Sequence, residues 1–431
     1  MSCILQLNKC SEELLDTICD NLELKLETER GGEEVFECYR ERGNQLFVPL
    51  SYSKTVCSNI WYKKKVVYIK LPTDLRFTAK LRDYQVPVKK EALNILKADK
   101  TVLLSMYCGW GKTLMGIYLA WRCRLKTLIV IHRVILMEQW RQSILTFLPN
   151  ATIQILGNRD CILQDCDFYI INPINLYKYN PDTLSQVGTV IVDECHLITS
   201  KIFSQSLWNV QPKYSIGLSA TPYRLDGLNA AIELFFGKQI VRTLNHPHIV
   251  HPLYTRLTPI VEYNKMGKID WNSIINQQAE CPERNQLIVN IVTTFSTEDT
   301  YFLILCKRVN QVKELVKICT SHNISVTSLC GSNNTYDKKA KVLIGTVSKL
   351  SVGFDDKRLN VLILACDIKN YFIQVLARIM RQPDTVPIIF DIIDNNSILK
   401  NHYNARKKIY FNHGGIIECL PYFNNTFLYN K

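Results

Sequence analysis

Short, continuous runs of apolar residues alternate with amphipathic segments along two long parts of the chain. In the first part, from about residue 81 to 244, segments of helical periodicity such as Lys112–Cys123 and Ile135–Phe147 separate five apolar runs, at residues 101–106, 127–131, 168–172, 189–192 and 215–218. Strands buried on both faces are continuously apolar, so this pattern predicts a parallel sheet covered by helices. The pattern returns after about residue 283, with runs at residues 301–306, 325–330, 342–346, 361–365 and 386–390.

Two α/β domains in series are therefore predicted, at residues 76–245 and 246–431. The second range begins with a segment, about 245–282, that contains several Pro and His residues and is expected to be a connection. Residues 1–75 are predicted to form a small α+β accessory domain, with strand-like alternation around residues 46–48 and 66–71.

The composition is typical of a globular protein. The 431 residues contain no run of about 18 apolar residues, so no membrane span is expected, and the acidic N-terminal residues are unlike a signal peptide. An intracellular protein is therefore expected. Its 16 cysteines form no C-x-x-C pair, which favours reduced structural cysteines over a zinc site.

The charge favours a polyanionic partner, because 52 Lys and Arg stand against 39 Asp and Glu, a net charge of +13. It is also uneven, since residues 1–45 are rich in acids and residues 46–100 in bases. Within the basic part, Trp61 and Tyr62 precede three lysines that suit a nucleic-acid backbone beside stacked bases: Lys63, Lys64 and Lys65. A solvated charged edge is the alternative.

The strongest local motif follows a predicted strand and opens a predicted helix, the context that a phosphate-binding loop requires. Its glycines would let backbone N–H groups approach phosphates at a helix N-terminus, and the full pattern would place Gly at Met106. The lysine would reach the β- and γ-phosphates, and the threonine would bind Mg²⁺. This candidate phosphate loop (residues 108–113) consists of Cys108, Gly109, Trp110, Gly111, Lys112 and Thr113.

Two carboxylates, Asp193 and Glu194, directly follow the apolar run at 189–192. A carboxylate at the end of a strand near a phosphate loop is where a second Mg²⁺ contact belongs, so Asp193 is predicted to hold the metal. Glu194 is predicted to polarise the attacking water. An acidic turn after a buried strand is the alternative when the phosphate loop is disregarded.

The order of motifs resembles the superfamily 2 helicases and translocases over about residues 80–410. The matching strings are LRDYQ at 81–85, the phosphate loop, DECH at 193–196, SATP at 219–222, GT and GFD at 345–346 and 353–355, and QVLARIMR at 374–381. The resemblance implies two RecA-like domains with ATP in the cleft between them. It also implies nucleotide contacts at Arg82, Gln85, Gly353 and Asp355, coupling roles for His196, Ser219 and Thr221, and nucleic-acid contacts at Arg133, Arg224 and Thr346. Arg133 lies in a loose motif Ia match at 132–140.

The last string adds a physical argument. On a helix, Gln374, Arg378 and Arg381 share one face, and a cationic face closing on ATP would act as an arginine finger. Ala377 replaces the Gly usual in this motif. A basic amphipathic surface helix is the alternative.

Two further strings, at 217–227 and 391–410, resemble the XPB and UvsW group of DNA helicases. They look closest to versions from large nucleocytoplasmic DNA viruses, including the poxvirus helicase that releases transcripts. The resemblance implies an ATP-dependent DNA helicase or translocase in viral transcription or DNA repair, with DNA and that machinery as partners, at the site of viral replication. An RNA helicase and a non-hydrolysing strand-binding clamp are the alternatives.

Overall fold

The computed structural model divides into two compact units, Met1–Arg242 and Thr243–Lys431. It describes residues 1–27, 33–56, 67–157, 162–220, 229–331, 333, 335–350, 356–368, 372–382, 384–420 and 427–428. The predicted domain boundaries at 75 and 245 stay predictions.

The N-terminal part is small and mixed in structure. Its elements are β1 (Ser2–Gln6), α1 (Glu12–Leu22), β2 (Glu23–Glu27), β3 (Glu33–Glu37), β4 (Arg40–Arg42), β5 (Gln45–Pro49) and α2 (Leu50–Val56). Strands β1, β5 and β4 form an antiparallel sheet in that order, and β2 pairs with β3. Apolar residues of this part, such as Leu5 and Val48, share one buried cluster with residues of the first large sheet.

The first large sheet has seven parallel strands in the order β12-β6-β11-β10-β7-β9-β8. The strands are β6 (Thr101–Met106), β7 (Thr127–Val130), β8 (Ile153–Leu156), β9 (Phe168–Ile171), β10 (Thr189–Asp193), β11 (Tyr214–Ser219) and β12 (Gln239–Arg242). The accompanying helices are α3 (Gln85–Asp99), α4 (Lys112–Cys123), α5 (Ile135–Phe147), α6 (Pro173–Leu176), α7 (Lys201–Leu207) and α8 (Asn229–Phe236).

The second large sheet also has seven parallel strands, in the order β15-β16-β14-β17-β18-β13-β19. The strands are β13 (His248–Tyr254), β14 (Phe302–Cys306), β15 (Val326–Leu329), β16 (Val342–Thr346), β17 (Val361–Leu364), β18 (Ile388–Ile393) and β19 (Gly415–Ile417). The helices are α9 (Trp271–Glu280), α10 (Pro282–Phe295), α11 (Val309–Ser321), α12 (Val347–Leu350), α13 (Phe372–Leu376) and α14 (Ser397–Asn412). Within the described ranges, no helix is long and apolar enough to cross a membrane.

The two parallel sheets confirm the predicted fold class of two RecA-like domains with a small α+β part before them. All ten predicted apolar runs contain strands, and α4 and α5 have the predicted bounds. Two expectations are wrong. Residues 67–71 form no strand, and only Lys70 takes part in an isolated bridge. The reason is that the backbone N–H of Ile69 donates to Gln186 and that of Leu71 to Arg124, neither of which lies in a strand. The expected connection at 245–282 instead contributes β13 and α9.

Candidate active site

The phosphate loop joins β6 to α4 in a conformation that needs glycine. Gly109 has φ +89° and Gly111 has φ +101°, both in the left-handed region that side chains disfavour. A Cβ at Gly111 would lie 2.5 Å from Nε2 of Gln85, whereas one at Gly109 would meet no atom within 4 Å. Glycine is therefore required at both positions by the backbone conformation, and at position 111 also because Gln85 leaves no space for a side chain.

The motif at 81–85 contacts the phosphate loop at Trp110. The Gln85 side chain is 1% exposed; its Nε2 donates to the Trp110 carbonyl at 2.9 Å, and its Oε1 accepts from the Arg82 backbone N–H at 2.9 Å. The Tyr84 ring packs edge-on against Trp110 with centroids 5.7 Å apart. Gln85 thus supports the phosphate loop directly, and its predicted contact with a base stays a prediction.

Lys112 begins α4, where backbone N–H groups lack helical partners. Its ammonium donates to the Met106 carbonyl at 3.0 Å. The Met106 side chain is fully buried in the core, so the residue that departs from the usual Gly presents its carbonyl to the lysine. A helix N-terminus beside an ammonium is a place for anionic phosphates.

Asp193 ends β10, and β11 lies between β10 and β6, so the carboxylate and the phosphate loop share the carboxyl edge of one sheet. Its Oδ2 accepts from the Trp140 indole N–H at 2.8 Å and its Oδ1 from the Glu194 backbone N–H at 3.0 Å. Burial raises the pKa of Asp193 to about 6; the charge of Glu194 adds to the rise, and Trp140 and Lys112 partly offset it.

Glu194 adopts a left-handed backbone conformation, φ 49° and ψ 49°, that is unusual for a residue with a side chain. Its Oε2 is buried, lies 3.4 Å from Nδ1 of His196, and accepts no hydrogen bond from the described residues. Nδ1 of His196 also lies 3.0 Å from Oγ of Ser219 at the end of β11. This contact joins two of the predicted coupling residues.

The residues at this edge fit a magnesium ion. Mg²⁺ prefers oxygen ligands, and Asp193 and Thr113 supply a carboxylate and a hydroxyl. The raised pKa of Asp193 reflects the burial of its carboxylate beside the charge of Glu194, an arrangement that a divalent cation would relieve.

The predicted arginine helix of the second unit is shorter than expected. Helix α13 ends at Leu376, and the N–H groups of Arg378 and Ile379 donate to carbonyls three residues earlier, so Gln374, Arg378 and Arg381 do not share one helical face. The chain beyond Leu376 turns more tightly than an α-helix through these hydrogen bonds. Val375 to Met380 are each at most 8% exposed, so the segment also lacks the polar face that the amphipathic pattern predicted. The alternative of an exposed basic helix is also wrong, because Arg378 is 8% exposed.

The other predicted contacts differ in placement. Arg133 is exposed, whereas Trp140, at the end of the same motif match, is 3% exposed and unable to touch a polymer. Thr346 is buried at the end of β16 and its hydroxyl lies 3.2 Å from that of Ser348. Seven predicted residues lie outside the described residues: Lys63, Lys64, Lys65, Thr221, Arg224, Gly353 and Asp355.

A charged network in the second unit was not predicted. Arg406 of α14 donates from Nη2 and Nε to the two oxygens of Asp391, at 2.8 and 2.9 Å, and from Nη1 to Asp367 at 2.7 Å. Arg284 of α10, fully buried, donates from Nε to Asp394 at 3.1 Å. Paired charges therefore fasten α10 to the residue after β18, and α14 to β18 and to the segment that follows β17.

The chain is similar to a known protein family and to helicases of several viruses. The family described as "Type III restriction enzyme, res subunit" matches residues 78–224. The chain is 40% identical to "Putative helicase 161L" of Invertebrate iridescent virus 6, over 97% of this chain and 99% of that one. It is 33% identical to "Putative helicase 055L" of Frog virus 3, over 80% of each chain. It is 26% identical to "Putative ATP-dependent RNA helicase L396" of Acanthamoeba polyphaga mimivirus, over 87% of this chain and 78% of that one.

Proposed function

Because the chain belongs to the superfamily 2 helicase family of these iridescent-virus and frog-virus proteins, we propose that it hydrolyses ATP at the carboxyl edge of its first sheet and uses each cycle to move along or unwind DNA. One observation carries the proposal: Asp193, at the end of β10, lies close enough to Glu194 and to Lys112 of the phosphate loop to interact electrostatically with both. A phosphate-binding cation beside a metal-binding carboxylate is the arrangement that phosphoryl transfer requires.

In this mechanism the phosphate loop and Lys112 bind the β- and γ-phosphates of ATP. Mg²⁺, held by Thr113 and Asp193, would neutralise negative charge on the phosphates. Glu194 orients the attacking water and accepts its proton, a role that suits a buried carboxylate oxygen without a hydrogen-bond donor among the described residues. The His196–Ser219 contact transmits a change at the end of β10 to the end of β11.

Arg378 and Arg381 are proposed to supply positive charge to the γ-phosphate, with Gln374 orienting them, and Gly353 and Asp355 to contact the nucleotide. Arg82 and Gln85 act on the base side of the loop that Gln85 supports. Thr221 extends the coupling route that begins at His196. The support for these roles is the match of each residue to a superfamily 2 motif.

DNA is the proposed polymer. The net charge of +13, the exposed Arg133, and the resemblance to the XPB and UvsW group support it. Lys63, Lys64, Lys65, Arg224 and Thr346 are the other proposed contacts. The viral relatives support a place in viral transcription, such as transcript release, or in repair of viral DNA. An RNA helicase is the second candidate, because the mimivirus relative is named an ATP-dependent RNA helicase.

ATP turnover measured with single-stranded DNA, branched DNA and RNA of one sequence separates these candidates. We expect DNA to stimulate turnover more than RNA, because a strand-gripping protein can sense the 2′-hydroxyl. Stimulation by RNA equal to that by DNA would replace DNA with RNA in the proposal, and no turnover with any polymer would favour a strand-binding clamp. Changing Lys63, Lys64 and Lys65 together to Ala should weaken DNA binding and flatten its salt dependence at unchanged basal turnover. Lys407→Ala, which removes one exposed lysine of α14, is the single-site control.

A further inference from the structure

Trp140 contacts both Asp193 and helix α4, two parts of the proposed ATP site, although it belongs neither to the phosphate loop nor to the motif at 193–196. It is 3% exposed on α5, and its indole N–H donates to Oδ2 of Asp193 across 53 residues of sequence. Its ring also lies over α4, the helix that Lys112 begins, because a Cβ placed on Gly116 would be 3.7 Å from Cη2 of the indole.

The presence of Gly116 supports a close approach of α4 to its neighbours. Glycine in a helix interior costs about 1 kcal/mol relative to alanine, so it needs a packing reason. The same Cβ would also lie 3.0 Å from Cδ1 of Leu218 on β11, tighter than ordinary contact. Helix α4 therefore packs tightly against Leu218, with the indole in ordinary contact beside it.

Both oxygens of Asp193 are held by neutral donors. Oδ1 accepts from the backbone of Glu194 at 3.0 Å, and Oδ2 accepts from Trp140 at 2.8 Å. Two donors on different oxygens fix the rotation of the carboxylate about its last bond. Each oxygen keeps acceptor capacity that no side-chain cation within the described residues occupies with a hydrogen bond.

We propose that Trp140 is a positioning residue that orients the Asp193 carboxylate toward the metal of the ATP complex. The inference rests on the proposed function, since it assumes that Asp193 serves a metal-bound nucleotide. Hydrogen-bond donors behind a metal-binding side chain commonly change metal affinity or activity by about 10–100-fold when removed. Trp140 has the position of such a donor.

The test uses Trp140→Phe, which keeps an aromatic ring and removes the N–H. The matched control is Trp121→Phe, because the Trp121 indole on α4 donates at 2.8 Å to the backbone carbonyl of Leu75 instead of a carboxylate. Mn²⁺ binding is followed by electron paramagnetic resonance with a non-hydrolysable ATP analogue present, and analogue binding is measured separately in EDTA. We expect Trp140→Phe to weaken Mn²⁺ binding about 10–100-fold at unchanged metal-free binding, and Trp121→Phe to change neither.

A second variant separates orientation from packing. It carries 3-benzothienylalanine at position 140, which keeps the shape of the indole and replaces the N–H with sulphur, and it should lose Mn²⁺ affinity as Trp140→Phe does. Mn²⁺ affinity at the wild-type level in both variants would overturn the positioning role of Trp140. The proposed ATP site would still be supported, because the wild-type protein binds Mn²⁺ with the analogue. Loss confined to Trp140→Phe, or equal loss with and without metal, assigns the ring to packing alone and also overturns it. Absence of Mn²⁺ binding in the wild-type protein overturns both proposals.

Discussion

Carboxylates lie at or near the carboxyl ends of central strands in both large sheets, but their partners differ. In the second unit, Asp391 and Asp394 are paired with the guanidinium groups of Arg406 and Arg284. In the first unit, Asp193 accepts hydrogen bonds only from an indole and a backbone N–H among the described residues. A carboxylate whose countercharge belongs to the chain holds helices to a sheet, whereas one held by neutral donors keeps its charge for a cation brought by the ligand.

The largest expected effect tests the ligand side of this comparison. Lys112→Ala should abolish ATP binding, because the ammonium attracts phosphate in ground and transition states alike. Glu194→Gln should retain binding and lower turnover by about 10³-fold or more, because shape is kept and the proton acceptor is lost. Calorimetric ATP titration and single-turnover hydrolysis measure the two effects. Equal loss of binding in both variants would contradict the assigned roles.

Two arginines of the second unit, Arg381 and Arg406, should differ in whether their removal affects turnover or stability. Arg381→Ala should slow turnover by about 10³-fold with little change in stability, if it supplies charge to the γ-phosphate. Arg406→Ala should lower the free energy of unfolding by about 3–5 kcal/mol, because it leaves buried carboxylates unpaired. Urea unfolding checks the second effect, with Lys408→Ala on the exposed side of α14 as control. A stable Arg406→Ala protein would mean that the network does not fasten the helix.

The smallest expected effect is a pair of opposite pH dependences, measured as melting temperature in EDTA from pH 3 to 8. The folded pKa of Asp193 is raised to about 6 by burial, so its contribution is full below about pH 4 and lost as the pH rises through 6. Burial alone would raise the pKa of Asp367, but His402 and Arg406 outweigh it and lower the pKa below its usual value. The Asp367 contribution is therefore present above about pH 4 and lost in acid.

Two substitutions isolate these contributions. Asp193→Asn should gain stability relative to the wild type as the pH rises from about 4.5 to 7.5. Asp367→Asn should be less stable than the wild type at neutral pH, with the difference shrinking below about pH 4. Parallel melting curves for all three proteins would contradict the difference in environment.

Most of the fold could be predicted because strands of a covered parallel sheet are apolar on both faces. Strand β13 was missed because His248, His251 and Pro252 resemble a loop, and proline is disfavoured inside a sheet. The structure accommodates Pro252 because, among the described residues, β19 pairs only with His248 to Val250, so Pro252 has no partner in β19.

The site residues could be predicted where a short stretch of sequence is enough to identify them. Asp193 ends β10, Glu194 follows it, and Lys112 begins the helix after the loop that follows β6, so the order of residues along the chain shows all three. Trp140 could not be assigned, since on a helix it is indistinguishable from any other apolar core residue, and its partner lies 53 residues away. The pairing of Arg406 with Asp391 is equally invisible, because it depends on how α14 returns to β18.

The position of β13 also has a consequence for biosynthesis. It is the first strand of the second unit to be made, yet its only strand partners in the described chain are β18 and β19, the last two. At roughly 5–20 residues per second, a ribosome needs on the order of ten seconds to travel from Tyr254 to Ile388. During that interval a segment that is mostly buried in the folded protein emerges with both strand edges unpaired, a state that invites aggregation or chaperone capture. The first sheet is fully synthesised by Arg242, so the nascent chain can complete one half while the other waits for its final segment.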